Sequence, residues 1–167
     1  MKKLKIFFVV LLIANCFWSC EKDDICEAGT PTTPSLVIEF YDNLNAGTKK
    51  PVTNLNVIAD GNATILKFNG VSKIQIPLKT NIDLSQFKFT LNAVNPVTSS
   101  TNEDILNINY TRKDVYISRA CGFKTVFKLN EAGVIVQPTD PNKWIKEIVI
   151  QKYNILNENE IHVKIFF

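Results

Sequence analysis

The sequence predicts an all-β fold, an antiparallel β-sandwich of about eight to ten short strands. Three observations carry that expectation. Apolar and polar residues alternate with period two in run after run, most cleanly at Phe87, Phe89 and Leu91 against Lys88, Thr90 and Asn92. Turn residues recur between those runs, as at Asp60-Gly61-Asn62 and Asn69-Gly70. No stretch keeps a helical period long enough to build a helix.

Taken in order, residues 25–34 form a linker whose prolines and threonines favour extended backbone. Leu36 to Tyr41 is the first strand, with Leu36, Ile38 and Phe40 on one face and Val37, Glu39 and Tyr41 on the other. A polar loop follows over residues 42–51. Asn54–Ala59 and Ala63–Phe68 flank Asp60-Gly61-Asn62, a hairpin signal because glycine and asparagine accept the positive φ of a tight turn. Lys73 to Leu78 alternates again, and Pro77, which cannot donate to a ladder, marks an edge or a strand end. Residues 85–92 form a half-buried strand, and residues 93–103 read as a long surface loop.

Further strands are expected at 105–110 and 115–118, turned at Thr111-Arg112-Lys113-Asp114. Another runs from Cys121 to Leu129, ended by a turn at Asn130-Glu131-Ala132-Gly133, with a short strand at 134–136 beyond it. Residues 145–153 and 161–167 make the last pair around Asn157-Glu158-Asn159. The pattern suits an immunoglobulin- or transthyretin-like sandwich, with a closed barrel as the alternative. Strands this short and this charged on the outer face do not suit a membrane barrel, which needs about 9–11 residues per strand.

The first residues stand apart from this pattern. Lys2, Lys3 and Lys5 precede an apolar run from Ile6 to Ala14, and Ser19 precedes Cys20, as in a secretory signal. A membrane-spanning helix is the alternative, but it needs roughly 20 apolar residues. The organisation expected is therefore a signal peptide over 1–19, a tether over 20–34 and one domain over 35–167. Removing 1–19 leaves 148 of 167 residues, enough for a real core. The net charge of +3 comes from 19 basic against 16 acidic residues, and all three excess positives leave with the signal. A basic surface for nucleic acid loses its footing.

Four cysteines reduce to two. Cys16 leaves with the signal and Cys20 stands at its boundary, so Cys26 and Cys121 remain to form one disulfide in an oxidising compartment. The alternative is two separate thiols, one on a mobile tether and one buried.

Chemistry-bearing residues are sparse. The only histidine, His162, lies in a strand on the Lys164 face and is expected to face solvent. Ser85 and Ser118 lack a nucleophile-elbow context, and there is no glycine-rich phosphate loop. Asp60-Gly61-Asn62 resembles a fragment of a calcium loop, without the further acidic ligands such a loop needs. Neither a metal nor a cofactor is expected. A hydrolase would need Asp42, Asp104 and Glu147 to converge away from the turns. Trp144, Tyr116, Tyr153 and Phe166 would pack, or would stack a sugar in a glycan-binding accessory module.

Two resemblances follow from the front end. Ser19-Cys20 resembles the lipobox of bacterial lipoproteins, which implies a diacylglycerylated Cys20, with Cys16 as the rival position. Glu21-Lys22-Asp23-Asp24 resembles the surface-export signal of Bacteroidota lipoproteins, a lysine and acids just after the lipidated cysteine. The stretch from Cys20 to Cys26, then Gly29-Thr30-Pro31-Thr32-Thr33-Pro34, Phe40-Tyr41-Asp42 and Arg119-Ala120-Cys121-Gly122-Phe123-Lys124, resembles an uncharacterised Bacteroidota lipoprotein family. That resemblance implies a lipidated envelope protein, with its domain on the outer face of the outer membrane or on the periplasmic side. It also pairs the two segments that contain Cys26 and Cys121. The partners expected are the membrane, through the anchor, and an envelope protein or a glycan; a place as one subunit of a larger envelope complex is the third reading. No catalytic residue is implied.

Overall fold

The computed structural model describes residues 25–93, 101–136 and 142–167. Among these residues there is no helix, and ten strands make up two sheets. The strands are β1 (Leu36–Tyr41), β2 (Leu55–Ala59), β3 (Ile65–Phe68), β4 (Lys73–Ile76), β5 (Leu84–Leu91), β6 (Asn102–Ser118), β7 (Gly122–Val136), β8 (Glu147–Ile150), β9 (Asn154–Ile155) and β10 (Val163–Phe166). The chain divides into two compact units. Of the described residues, the smaller holds 25–30 and 116–123, and the larger holds 31–93, 101–115, 124–136 and 142–167.

The larger unit is a sandwich. One sheet has the order β4-β1-β10-β8, the other β3-β2-β5-β6-β7-β9. Both sheets are open, so the fold is a sandwich and not a closed barrel. All pairings with a described register are antiparallel except β1 with β10, which run parallel with Ile38 opposite Val163 and Phe40 opposite Ile165. Parallel neighbours cannot be joined by a tight turn. Here the two strands lie near opposite ends of the sequence, and nearly the whole sandwich is the connection between them.

Alternation places the core as expected. Leu36, Ile38, Phe40, Val163 and Ile165 from the four-stranded sheet join Leu55, Val57, Phe87, Phe89, Leu106, Ile108 and Phe127 from the other. Along β5 the residues Ser85, Phe87, Phe89 and Leu91 are buried while Leu84 and Lys88 are exposed, the half-buried strand the pattern implied. The hairpin between β2 and β3 forms with Gly61 at φ 75°. Its turn closes through the Asn62 N–H on the Ala59 carbonyl, 3.0 Å. β4 is an edge strand that ends at Ile76, immediately before Pro77.

Four expectations about strand limits are corrected. Residues 102–118 form one 17-residue strand, with no turn at Thr111–Asp114, and residues 122–136 form one 15-residue strand. These two neighbours exceed the length expected of short strands, so length gives no argument against a membrane barrel; the open sheets do. Asn102 and Glu103 belong to β6 and not to a loop, while residues 94–100 of that expected loop lie outside the described residues. The expected strand at 145–153 stops at Ile150. Its continuation, β9, joins the other sheet beside β7.

The turn signal at Asn130–Gly133 has a different cause. A Cβ on Gly133 would stand 2.7 Å from the Asn109 carbonyl oxygen, 2.7 Å from the Asn130 oxygen and 2.9 Å from the Asn130 nitrogen. The backbone is drawn close upon itself and upon β6 there, inside a continuous strand. Glycine serves that close approach and does not end the strand.

Candidate functional site

The smaller unit is described over residues 25–30 and 116–123. Its covalent link is the disulfide between Cys26 and Cys121, with Cα atoms 4.9 Å apart and 95 residues between them in sequence. The expected bridge is therefore present. The backbone around it is ordered locally. Gly122 adopts φ 69°, a left-handed value that glycine takes without strain. The Cys121 N–H donates to Ser118 Oγ at 3.0 Å. Beside the bridge, Tyr116 and Phe123 meet edge to face with ring centroids 5.3 Å apart. Tyr116 is still 55 % exposed, Phe123 67 % and Ile25 79 %.

The larger unit carries an open groove of about 640 Å³, lined by Thr111, Lys128, Leu129, Asn130, Glu131 and Tyr153. It forms where β9 leaves β7. Lys128 pairs with Asn154, and the Leu129 N–H donates to the Tyr153 carbonyl at 2.8 Å. The lining offers an ammonium, a carboxylate, an amide, a hydroxyl and one half-exposed aromatic ring. That set can hydrogen-bond a polar ligand and stack one of its faces. Sequence reading named Tyr153 but not its neighbours, because the groove depends on β9 crossing to the second sheet. Two smaller hollows of about 170 and 400 Å³ flank the Asp60-Gly61-Asn62 turn.

His162 is corrected outright. It is buried, 1 % exposed, on the face of the four-stranded sheet that points away from the core. Its Nδ1 accepts the Val37 N–H at 3.0 Å, and its backbone N–H donates to the Val37 carbonyl at 3.1 Å. An acceptor Nδ1 is unprotonated, so a neutral ring carries its proton on Nε2. Burial lowers its pKa below the usual histidine value, against the pull of Glu160, Glu158 and the Asn157 backbone. Alternation did put His162 on the Lys164 face. What it could not show is that β1 lies alongside, with Val37, Glu39 and Tyr41 sharing that face.

Those neighbours form a polar cluster. Burial opposes the ionised Glu39, but hydrogen bonds from Lys49 and Tyr41 outweigh it and hold the carboxyl below its ordinary range. Lys49 Nζ lies 2.6 Å from one oxygen and the Tyr41 hydroxyl donates to the other at 2.6 Å. Tyr41 in turn stacks on Phe166 and lies under Lys164 Nζ at 4.8 Å. The cluster fixes an outer layer of the sheet.

The carboxylates considered for hydrolysis stand on separate elements. Asp42 follows β1 and accepts the Leu44 N–H. Asp104 is buried on β6 and accepts the Ile145 N–H at 2.8 Å. Glu147 begins β8 in the other sheet. Among the described residues, no three His, Cys, Asp or Glu side chains are grouped to hold a metal ion. Trp144 and Phe166 are buried, with the Trp144 indole N–H on the Phe89 carbonyl at 3.2 Å. Cys20 and Glu21-Lys22-Asp23-Asp24 lie outside the described residues.

No curated protein and no solved structure matches the chain. A family model does match residues 54–167, from just before β2 to the last residue of the chain. That segment holds nine of the ten strands and the whole groove, and it is more than half of the sequence. The chain belongs to a family of unknown function, DUF6452.

Proposed function

We propose that the chain is a lipid-anchored envelope protein of the Bacteroidota lipoprotein type, acting as a binding or structural module and not as a catalyst. Residues 1–19 are its signal peptide, Cys20 its acylated N-terminus, residues 20–34 its tether and residues 35–167 its working domain. Glu21-Lys22-Asp23-Asp24 directs it to the outer face of the outer membrane. The observation that carries this reading is the Cys26–Cys121 bridge. Disulfides persist in exported proteins and are rare in reducing cytosol, so the bridge agrees with a signal at 1–19 and leaves Cys20 for another use. Two or three acyl chains give stable attachment, since each buried CH₂ contributes about 0.8 kcal/mol.

The test is Cys20→Ala in the full chain, followed by labelling with a radioactive fatty acid and detergent phase separation. Wild type is expected to take label and enter the detergent phase, and the variant to do neither. A variant that still takes label would move the acylation to Cys16 and overturn the assignment.

A second reading is supported by the groove. Tyr153, with Lys128, Asn130 and Glu131, offers one stacking face and several hydrogen-bonding groups, the chemistry that holds a sugar ring. Glycan-array binding that disappears in Tyr153→Ala would establish it; an array without hits would remove it.

A further inference from the structure

We propose that the segment around the disulfide is a bilayer-docking element, which lays Tyr116, Phe123 and Ile25 into the interfacial region of the membrane that carries the anchor. The inference rests on acylation of Cys20. Three large apolar side chains in one small unit are each more than half exposed, and two of them have rings in contact with each other. Aromatic rings with one polar and one apolar end favour the headgroup level of a bilayer, as Tyr116 would with its hydroxyl toward water.

The length of the tether names the bilayer as the occupant. Cys26 is six residues beyond Cys20, and a chain spans at most about 3.6 Å per residue, so the bridge stands no more than ~22 Å from the acylated residue. The disulfide transfers that restraint to Cys121, whose Cα is 4.9 Å from that of Cys26. Phe123 follows two residues later and Tyr116 precedes by five. Along the covalent chain Cys121 lies 101 residues beyond Cys20, and the bridge shortens that path to six residues and one disulfide. With it, the two rings are kept within a few tens of ångströms of the surface at a high effective concentration.

The test uses the full lipidated chain on vesicles of equal parts phosphatidylethanolamine and phosphatidylglycerol, with brominated acyl chains as quenchers. After the signal is removed, Trp144 is the one tryptophan, and it is buried. Wild type therefore supplies the unquenched baseline. Phe123→Trp is expected to lose most of the emission it adds when the vesicles carry bromine. Limited trypsin cleavage at Arg119 is a second reading. It should slow several-fold on vesicles, and Tyr116→Ser/Phe123→Ser should restore the rate while flotation with vesicles is retained. Flotation without quenching or protection would overturn the docking and leave the anchor standing. Failure of wild type to float would overturn the anchor, and the docking with it.

Discussion

At the scale of single residues, His162 shows how burial turns a side chain of little apparent consequence into a determinant of stability. Nδ1 accepts the Val37 N–H, which favours the neutral ring, and burial disfavours the charged one. In the unfolded chain the imidazole titrates near 6.5, and in the folded protein lower. As pH falls, the unfolded state therefore binds the proton first. Stability is full above about pH 6.5 and declines from there down to the folded pKa. The urea midpoint is expected to drop between pH 7 and pH 5 in wild type. His162→Asn, which keeps an acceptor near the Val37 N–H and does not titrate, should flatten that decline. Glu39 and Glu158 act at lower pH, since their pKa values lie below the ordinary 4.5. An equal decline in the variant would assign the effect to another group. Alternation marked the face on which His162 stands but not its burial, because the covering strand, β1, lies more than 120 residues away in the chain.

At the scale of elements, alternation was legible and strand length was not. Period-two patterning located β1, β2, β4, β5 and β10 to within a residue or two. It split β6 and β7 because Thr111–Asp114 and Asn130–Gly133 carry turn composition. Composition reports what a turn tolerates, and a long exposed strand tolerates the same residues. Thr111 to Asp114 are all exposed on β6, where polar side chains cost nothing. Within β7, Gly133 permits close backbone approach. Gly133→Ala should lower stability by about 1–3 kcal/mol, since the added methyl meets backbone atoms that cannot rotate away. Gly29→Ala is the matched control, for a Cβ there meets nothing within 4 Å. Chemical denaturation of the two variants side by side measures the difference. Similar midpoints would mean that β7 relaxes at Gly133 at little cost. The groove was hidden for a related reason. Tyr153 and Lys128 meet only because the chain breaks after Ile150 and β9 joins β7, and no local pattern marks such a change of sheet.

At the scale of the whole molecule, the matched family segment and the folded sandwich do not coincide. The match begins at residue 54, yet β1, residues 36–41, has all six residues buried. β1 is the sole sheet neighbour of β4 and one of two neighbours of β10. It supplies Leu36, Ile38 and Phe40 to the core and Val37 to the opposite face. Burying each such side chain contributes about 1.5–3 kcal/mol, so four of them together rival the ~5–15 kcal/mol that holds a typical domain. A chain of residues 54–167 alone should therefore fail to fold, with a weak far-ultraviolet β signal and no cooperative melting. That chain also lacks Cys26, whose bridge is worth up to about 4.7 kcal/mol in the chain-entropy model. Cys26→Ser/Cys121→Ser in the full chain separates the two losses. This variant should melt earlier but cooperatively, while the shortened chain shows no transition. If residues 54–167 melt cooperatively near the double-serine variant, β1 is an accessory strand and the sandwich closes without it. If they recover only when a peptide of residues 35–53 is added, β1 is the strand that joins the front of the chain to its end.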